Sequence, residues 1–521
     1  MTITQWLLFF LVVQIIHFLG TWKLYQKAGR QAWEAAIPVY NAVVLMKIIN
    51  RPWWWTILLF IPIINLIMIP VVWVETIRSF GRNSITDTVL VLITFGLYIY
   101  YINYFANVTY IEDRSLKPRT SLGEWVSSIL FAVIAATIVH TYLIQPFTIP
   151  TSSLEKTLLV GDFLFVSKFH YGARTPMTAV AFPMVHDTIP GLGVKSYLEK
   201  PQIPYFRLPG FQNIERTDIV VFNWPVDTMV NMYYTDKYYY KPIDKKTNYV
   251  KRAVGIPGDS LEIISGRIHI NSQPLELPDR AKLQYAYQGT TNGEPFHPFN
   301  LYERYDVTDP VQYHAPTNSF RLNLTEEAFE RFKNHPNVAS ISRVETISGN
   351  PEGDIFPVKG NHSWNKDNMG PILIPKKGMT VPLNNESIHL YRRLIEVYEG
   401  SEMNTENVLA VNGTQVTLNG QVVDSYTFKQ DYYWMMGDNR HNSLDSRYFG
   451  FVPENHIVGK PVFIWLSLDP NASGFDKIRW DRMFTTVSGS GTPVSYLPYF
   501  IIIVIIIVAF NFFKKRREQN Q

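Results

Sequence analysis

Long apolar runs alternate with ordinary mixed sequence along this chain of 521 residues. Every run but the first approaches the ~20 residues that a helix needs to cross a ~30 Å hydrocarbon layer. The first reaches that length when its polar flanks are included. The five runs lie at about 6–19, 53–74, 85–105, 125–144 and 496–513. The pattern predicts a multi-span membrane region over 1–123, an anchor helix over 124–146 and a C-terminal transmembrane helix over 496–513.

Two of the runs carry further signals. No positive segment precedes the first run and no small-residue cleavage site follows it, so it is expected to be an anchor and not a cleavable signal peptide. In the second run Pro62 and Pro70 lie on either side of Asn65. A re-entrant hairpin therefore competes with a full span there.

Basic residues predict the orientation in the membrane, because Lys and Arg resist translocation. Arg114, Lys117 and Arg119 precede the fourth run, and the basic segment 514–517 follows the fifth. Both flanks are expected in the cytoplasm, so residues from about 147 to 493 would face the other side. The basic loop after the first run would also be cytoplasmic, which puts the N-terminus outside if every run spans.

Between residue 147 and the fifth run, short stretches rich in β-branched and aromatic residues indicate strands. They are DIVVFNW (218–224), YVKRAVGI (249–256), LEIISGRIHI (261–270) and GKPVFIWLSL (459–468). Ser265-Gly266 and Asn419-Gly420 are typical of hairpin turns, and TEEAFERF (325–332) predicts a helix with Thr325 as its N-cap. We expect a mainly β catalytic domain of curved antiparallel sheets over 147–274 and 430–475, with an inserted second lobe over 275–429.

The amino-acid composition excludes several kinds of site and partner. The chain has no cysteine, which excludes disulfides, thiolate catalysis and cysteine-based metal sites. Its formal charge of +4 comes from scattered residues, so no nucleic-acid partner is expected. The histidines show no ligand spacing and no phosphate-binding loop follows a strand, so no metal or cofactor is expected. The aromatic run Tyr233–Tyr240 fits a membrane-facing belt and a surface loop equally.

Three clusters contain residues that could do chemistry. QPFTIPTSSLEKTLLVGDFLFVSKFHYG begins at Gln145 directly after the fourth run, KRAVGIPGD covers Lys251–Asp259, and GDNRHNSLDSRYFGFVP covers Gly437–Pro453. Together with RTDIVVF (216–222), these motifs resemble, in order, the boxes of the bacterial type I signal peptidases, membrane-bound Ser/Lys proteases that remove signal peptides from exported proteins. The resemblance covers roughly residues 125–265 and 430–470.

The resemblance implies roles for individual residues. The nucleophile falls on Ser153 and the general base on Lys251, while Thr151 matches the hydroxyl of the oxyanion hole and Ser443 the serine that orients the lysine amine. The charged residues that match a structural network around the site are Arg252, Asp438, Arg440, Asp445 and Arg447. The positions that match the substrate groove are Phe147, Ile149, Pro150, Leu154, Leu158, Leu164 and Val250.

The sequence departs from the family pattern at two places near these residues. The usual Ser-Met-x-Pro-Thr reads Ser153-Leu154-Glu155-Lys156-Thr157, and His441 replaces an aspartate. Leucine keeps an apolar lining, but the loss of proline leaves the loop after the nucleophile without its usual constraint. The family pattern also does not account for residues 1–120 or for the long insertion.

A lysine can act as a base near pH 7 only if burial shields its amine from water and lowers its pKa. At a pKa near ~10.4 only about one exposed lysine in a few thousand is neutral at pH 7, and lowering the pKa by ~3 units costs roughly 4 kcal/mol. Lys251 lies in an apolar strand beside Val250, Ala253 and Val254, and alternation puts Arg252 on the opposite face. On this strand alone a snorkelling edge-strand lysine is the better interpretation; the serine and GDNR boxes favour the base.

The function that we predict is signal-peptide removal at the outer face of a bacterial cytoplasmic membrane. The partners would be signal-bearing precursors, the lipid bilayer and the translocation machinery. Two alternatives stay open. Ser153 to Lys156 is formally SxxK, the pattern of another class of acyl-serine enzymes, although the KTG strand of that class is missing. An inactive, membrane-tethered binding protein would be expected to lose Ser153, Lys251 or Ser443, and all three are present.

Overall fold

The computed structural model of the chain describes residues 2–228, 239–413 and 415–519. Most of the aromatic run at 233–240 lies outside the described residues. Two compact units are distinguished by their internal contacts: one comprises Met1–Tyr142 and Thr175–Phe206, the other Leu143–Arg174 and Arg207–Gln521.

Helices make up most of the first unit. They are α1 (Ile3–Lys27), α2 (Tyr40–Ile48), α3 (Trp55–Leu58), α4 (Ile64–Ser79), α5 (Ile85–Ile93), α6 (Tyr98–Tyr104) and α7 (Ser121–Ile138). Helix α1 begins with a capping box in which Thr2 and Gln5 satisfy each other's backbone N–H groups. Buried Glu75 pairs with Arg51 and Arg114, so the carboxylate is compensated inside this unit.

Among the described residues, three helices are long and apolar enough to cross a membrane. They are Ile3–Lys27, Ser121–Leu143 and Leu497–Glu518. The first, fourth and fifth apolar runs therefore form helices of spanning length, as the sequence predicts. The helix from the first run has 25 residues, because polar flanks at both ends extend it beyond the apolar stretch.

The second and third runs form broken helices. The second run is divided between α3 and α4, and α4 has 16 residues, fewer than a straight span needs. The third run divides into α5 and α6, whose axes differ by 115°. The chain turns at Phe95 and Gly96, which both have positive φ, and a Cβ on Gly96 would lie 2.7 Å from the Trp73 ring. A single straight helix over the third run is therefore not formed.

The second unit contains every strand that the structure describes. The first ten are β1 (Ile144–Thr148), β2 (Asp162–Ser167), β3 (Ile219–Asn223), β4 (Asn248–Gly255), β5 (Ser260–Ile264), β6 (Arg267–Ile270), β7 (Gln273–Pro274), β8 (Gln284–Thr291), β9 (Gln312–His314) and β10 (Ser319–Thr325). The remaining strands are β11 (Val338–Arg343), β12 (Met369–Leu373), β13 (Thr380–Pro382), β14 (Leu409–Asn412), β15 (Gln415–Leu418), β16 (Gln421–Val423), β17 (Ser425–Thr427), β18 (Tyr432–Met436), β19 (Val452–Pro453), β20 (Ile457–Ser467) and β21 (Thr485–Thr486).

The largest sheet carries the candidate site. Its strand order is β1-β2-β20-β3-β4-β18-β19, with β21 added beside β20, and the pairs are antiparallel. Register irregularities between β2 and β20 and between β4 and β18 bend the strands, so the sheet curls into a half-barrel. The predicted mainly β fold of curved antiparallel sheets is confirmed. Strand β1 lies at one end of the order and pairs only with β2 among the described strands.

Smaller sheets and short helices complete the second unit. One sheet has the order β11-β8-β10-β9 and another β12-β5-β6-β7. The helices here are α8 (Pro298–Tyr305), α9 (Glu326–Phe332), α10 (Ser387–Arg393), α11 (Ser446–Phe449) and α12 (Leu497–Gln519). Phe320, Leu322 and Phe332 form part of an apolar core between the first of these sheets and α9. This part of the inserted segment thus has a core of its own, whereas its later residues, such as Val381 and Tyr391, share a core with Val254 of β4 and Trp434 of β18.

Candidate active site

The turn that carries Ser153 follows directly from strand β1. Pro150 cannot donate a sheet hydrogen bond, and the chain leaves the strand there to form a short 3₁₀ turn over Ser152–Leu154. Leu154 and Leu158 are each 1% exposed and insert into the apolar cluster beneath the sheet. These two leucines anchor the turn and leave the Ser153 side chain partly exposed above the cluster.

Strand β4 brings Lys251 to the same place. Lys251 pairs with Val220 of β3, while Ala253 and Val254 further along β4 are fully buried. The ammonium nitrogen Nζ lies 2.7 Å from Ser153 Oγ and donates to the Val250 carbonyl at 3.1 Å. Lys251 is 5% exposed, so the lysine amine contacts the serine hydroxyl away from bulk solvent.

The surroundings of Lys251 favour its neutral form. Burial lowers the pKa of Lys251 to about 8, against the opposing attraction of Asp445 and Asp438. At that pKa about one lysine in ten is neutral at pH 7, compared with about one in a few thousand for an exposed lysine. A base of this kind is available near neutral pH.

The loop after β18 closes one side of the site through a glycine. A Cβ on Gly437 would lie 2.2 Å from Ser443 Oγ and 2.5 Å from the Ser153 carbonyl oxygen, so only glycine fits. The amide of Asn439 donates to that same carbonyl at 3.1 Å. The loop therefore holds the backbone of the serine turn by close approach and by a hydrogen bond.

Buried ion pairs fix the loop. Arg252 donates to both Asp438 oxygens, at 2.9 and 2.6 Å, and Arg447 pairs with Asp445 in the same bidentate way. In both carboxylates the arginine charge and its hydrogen bonds outweigh burial and lower the pKa. Arg252 is 2% exposed, so its guanidinium pairs with Asp438 inside the unit.

Three residues singled out from the sequence make no side-chain hydrogen bond to Ser153 or Lys251 among the described residues. Among the described residues Arg440 makes no ion pair, and its Nε has no hydrogen-bond partner. Ser443 Oγ is buried beside Gly437 and next to the Asp445 carboxylate, and it makes no hydrogen bond to Lys251 among the same residues. Thr151 is exposed, and its side chain makes no capping hydrogen bond to the serine turn.

The residues predicted to line a groove are mostly brought together. Ile149, Leu154, Leu158 and Leu164 are buried members of one apolar cluster, with Phe147 and Val250 packed against it half-buried. Pro150 is exposed and lies outside that cluster. The cluster therefore lies beneath strand β1 and the serine turn.

Several residues near the site were not singled out from the sequence. The Thr157 hydroxyl donates to Asp438 at 2.6 Å, and the Tyr249 ring lies 5.2 Å from Lys251 Nζ. His441 bonds Asp367 at 2.8 Å while its other ring nitrogen accepts from the Ala286 amide. Thr157 and His441 lie within the recognised motifs, whereas nothing in the sequence pointed to Asp367.

Comparisons with known proteins agree with this geometry. A family model described as signal peptidase, peptidase S26, matches residues 122–356 and 373–466, well over half of the chain. A second model, described as a family of unknown function (DUF5684), matches residues 33–113.

Individual relatives carry the name Signal peptidase I. The protein of Haemophilus influenzae is 26% identical over 393 residues, which cover 72% of this chain and 79% of the relative. That of Buchnera aphidicola subsp. Acyrthosiphon pisum is 25% identical over 358 residues, or 68% of this chain and 78% of the relative. That of Helicobacter pylori strain J99 is 26% identical over 391 residues, or 72% of this chain and 96% of the relative.

Fold and matches together define a serine endopeptidase, a hydrolase, with helices able to span a membrane. The chain belongs to the signal peptidase family, peptidase S26.

Proposed function

We propose that this chain removes N-terminal signal peptides from exported precursor proteins, with Ser153 as nucleophile and Lys251 as general base. One observation carries the proposal: a lysine that is 5% exposed has its Nζ 2.7 Å from Ser153 Oγ. The relatives named Signal peptidase I support the choice of substrate class.

The proposed reaction is acyl transfer through an ester. Neutral Lys251 accepts the Ser153 hydroxyl proton as Oγ bonds to the scissile carbonyl carbon. The Ser153 N–H and the Thr151 hydroxyl are the proposed donors to the resulting oxyanion. The C–N bond then breaks, and Lys251 returns its proton to the leaving amine. In the second half Lys251 takes a proton from water as the water oxygen attacks the ester carbonyl carbon; the bond between that carbon and Ser153 Oγ then breaks, and Lys251 returns the proton to Oγ.

The proposed substrate would bind as an added strand. Strand β1 has one edge free of pairing among the described strands, and such an edge can take up an extended peptide. Phe147 and Ile149, at and just beyond the end of β1, belong to the apolar cluster and would meet alternate side chains of that peptide. Shallow apolar contacts of this kind favour small residues before the cleavage site.

The proposed location is a bacterial cytoplasmic membrane, with a multi-pass anchor and the catalytic unit on the outer side. The basic residues at 114–119 precede the fourth apolar run and those at 514–517 follow the fifth, which supports a cytoplasmic position for each of these two flanks. Ser153 follows the fourth apolar run by only a few residues, so a precursor held in the bilayer by its own apolar segment would present its cleavage site nearby. The translocation machinery is a proposed partner on the same grounds.

The test compares cleavage of a signal-bearing precursor by detergent-solubilised full-length variants. Ser153→Ala and Lys251→Ala should each lose at least about 10⁴-fold in rate. Lys251→Arg should also be inactive, because a guanidinium keeps its proton. The matched control is Lys241→Arg, a change at a lysine 4% exposed and paired with Asp227 at 3.1 Å, which should stay active. Cleavage by Ser153→Ala or Lys251→Arg would contradict the mechanism.

The SxxK alternative is not supported by the contacts of its lysine. Lys156 Nζ bonds Asp306 at 2.7 Å and Thr308 at 3.3 Å, and among the described residues it makes no hydrogen bond to Ser153. Lys251 occupies that position instead.

A further inference from the structure

The loop after Ser153 is held by the inserted segment and not by a proline. Lys156, which stands where the family pattern has proline, has φ of 71°, a value that the proline ring cannot adopt. Its ammonium bonds Asp306 Oδ1 at 2.7 Å and Thr308 Oγ1 at 3.3 Å. The Lys156 side chain is only 7% exposed, whereas that of Asp306 is 62% exposed, so this contact ties the buried lysine to a carboxylate at the surface of the inserted segment.

The carboxylate of Asp309, three residues beyond Asp306, bonds side chains of both the loop after β18 and the serine turn. Asp309 Oδ2 accepts from the side-chain amides of Asn439 at 2.9 Å and Asn442 at 3.1 Å, and from Asn323 at 2.8 Å. Its carboxylate also bonds the Ser152 hydroxyl. Although burial opposes ionisation, these donors lower the pKa of Asp309, so the group stays charged at neutral pH.

The donors that meet Asp309 also hold the serine turn. Asn439 donates from its backbone to the Ser153 carbonyl at 3.1 Å and from its side chain to the Ser152 carbonyl at 3.2 Å. Asn442 donates to Ser152 Oγ at 3.0 Å. A single carboxylate from the inserted segment therefore binds the two asparagine side chains that donate to Ser152, and the backbone of one of them donates to the Ser153 carbonyl.

We propose that Asp306 and Asp309 form a positioning clamp for the nucleophile. The clamp fixes the serine turn, which keeps Ser153 Oγ within 2.7 Å of Lys251 Nζ and keeps the Ser153 N–H directed at the substrate carbonyl. Reacting groups have to be held closely, because a displacement of ~1 Å can cost about 100-fold in rate. The inserted segment is thereby part of the working site. This inference rests on the proposed function.

Asp309→Asn tests the clamp, because it keeps the shape of the side chain and turns an acceptor of several amides into a competing donor. We expect kcat for a peptide substrate to fall about 100-fold with KM changed less than about threefold. Lys156→Met should also lower kcat. Lys156→Arg should retain most of the wild-type kcat, because the arginine keeps the cation that Asp306 binds. The full-length protein in detergent is used throughout, with its melting temperature recorded.

Glu352→Gln is the matched control. Glu352 is a half-buried carboxylate of the same inserted segment, hydrogen-bonded to Lys366 and Thr346, and it should keep wild-type kcat. Unchanged kcat in Asp309→Asn would overturn the clamp. The clamp would also be overturned if the lower activity came with a lower melting temperature and a higher KM, since that pattern denotes general destabilisation. Ser153→Ala separates the two proposals: if it cleaves, the nucleophile is wrong whatever Asp309 does.

Discussion

At the scale of single residues, the burial that would let Lys251 act as the proposed base also lowers the stability of the fold. Its pKa of about 8 lies below the value of 10.5 for a free lysine, so the unfolded chain binds its proton more tightly than the folded chain does. The folded state is therefore destabilised at pH 7, by roughly 3 kcal/mol at about 1.36 kcal/mol per unit. The penalty disappears as the pH rises from 8 to above 10.5. The lowered pKa of Lys251 therefore reduces the stability of the fold and increases the neutral fraction of the amine.

The pH dependence of cleavage follows from the same residue. Since only the neutral amine can accept the Ser153 proton, we expect log kcat/KM to rise with unit slope at low pH and to level off near pH 8. The measurement uses a fluorogenic peptide and the detergent-solubilised protein, with intrinsic fluorescence to verify folding at each pH. An acid limb centred between pH 4 and pH 6 would instead indicate a carboxylate or histidine base.

At the scale of elements, the loop after β18 and the serine turn work as one unit because they touch through backbone. Asn439 donates to the Ser153 carbonyl, and Gly437 lies against both Ser443 and that carbonyl. The bidentate pair of Arg252 and Asp438 ties the loop to strand β4, which carries Lys251. Ser153, Lys251 and the loop therefore share one rigid framework.

Gly437→Ala should disrupt that framework. Gly437 has no positive φ, so the effect is steric: the added Cβ would lie 2.2 Å from Ser443 Oγ and 2.5 Å from the Ser153 carbonyl oxygen. We expect kcat to fall at least about 100-fold, because the serine turn must move, and the melting temperature to drop. Gly353→Ala is the control, since no atom lies within 4 Å of its added Cβ. Wild-type activity in Gly437→Ala would mean that the loop yields without moving Ser153.

Local elements were predictable wherever neighbouring residues determine the conformation. The hairpin turns at Ser265-Gly266 and Asn419-Gly420 form as predicted, with positive φ at all four residues. Helix α9 begins at Thr325, whose hydroxyl accepts from the Ala328 amide. The break between α5 and α6 was not predicted, because it depends on the close approach of the Trp73 ring to Gly96, a contact between distant parts of the chain.

The same limit applies to the candidate site. Ser153 and Lys251 could be identified because each lies in a long specific motif, and the structure brings them to 2.7 Å. Asp309 could not, because its contact with Asn439 spans 130 residues and the insertion has no counterpart in the family pattern. Arg440 and Ser443 were given roles by resemblance, and neither side chain hydrogen-bonds Ser153 or Lys251 among the described contacts.

At the scale of the whole molecule, the arrangement in the membrane depends on charge and on apolar length. The helices at Ile3–Lys27, Ser121–Leu143 and Leu497–Glu518 each have the composition of a span. The basic segment at 514–517 forms the C-terminal end of the last helix and resists translocation. If residues 147–493 face outward, both the catalytic strands and the inserted segment would meet precursors after these have crossed the membrane.

The absence of cysteine makes that arrangement directly testable, since any introduced cysteine is the only thiol. Ser115→Cys, Glu330→Cys and Glu518→Cys each place a thiol at an exposed position. In intact spheroplasts a membrane-impermeant maleimide should label Glu330→Cys within minutes, whereas the other two should react only after detergent is added. The unsubstituted chain, which should not react at all, is the control. Labelling of Ser115→Cys or Glu518→Cys before permeabilisation would reverse the orientation, because the basic flanks would then lie outside.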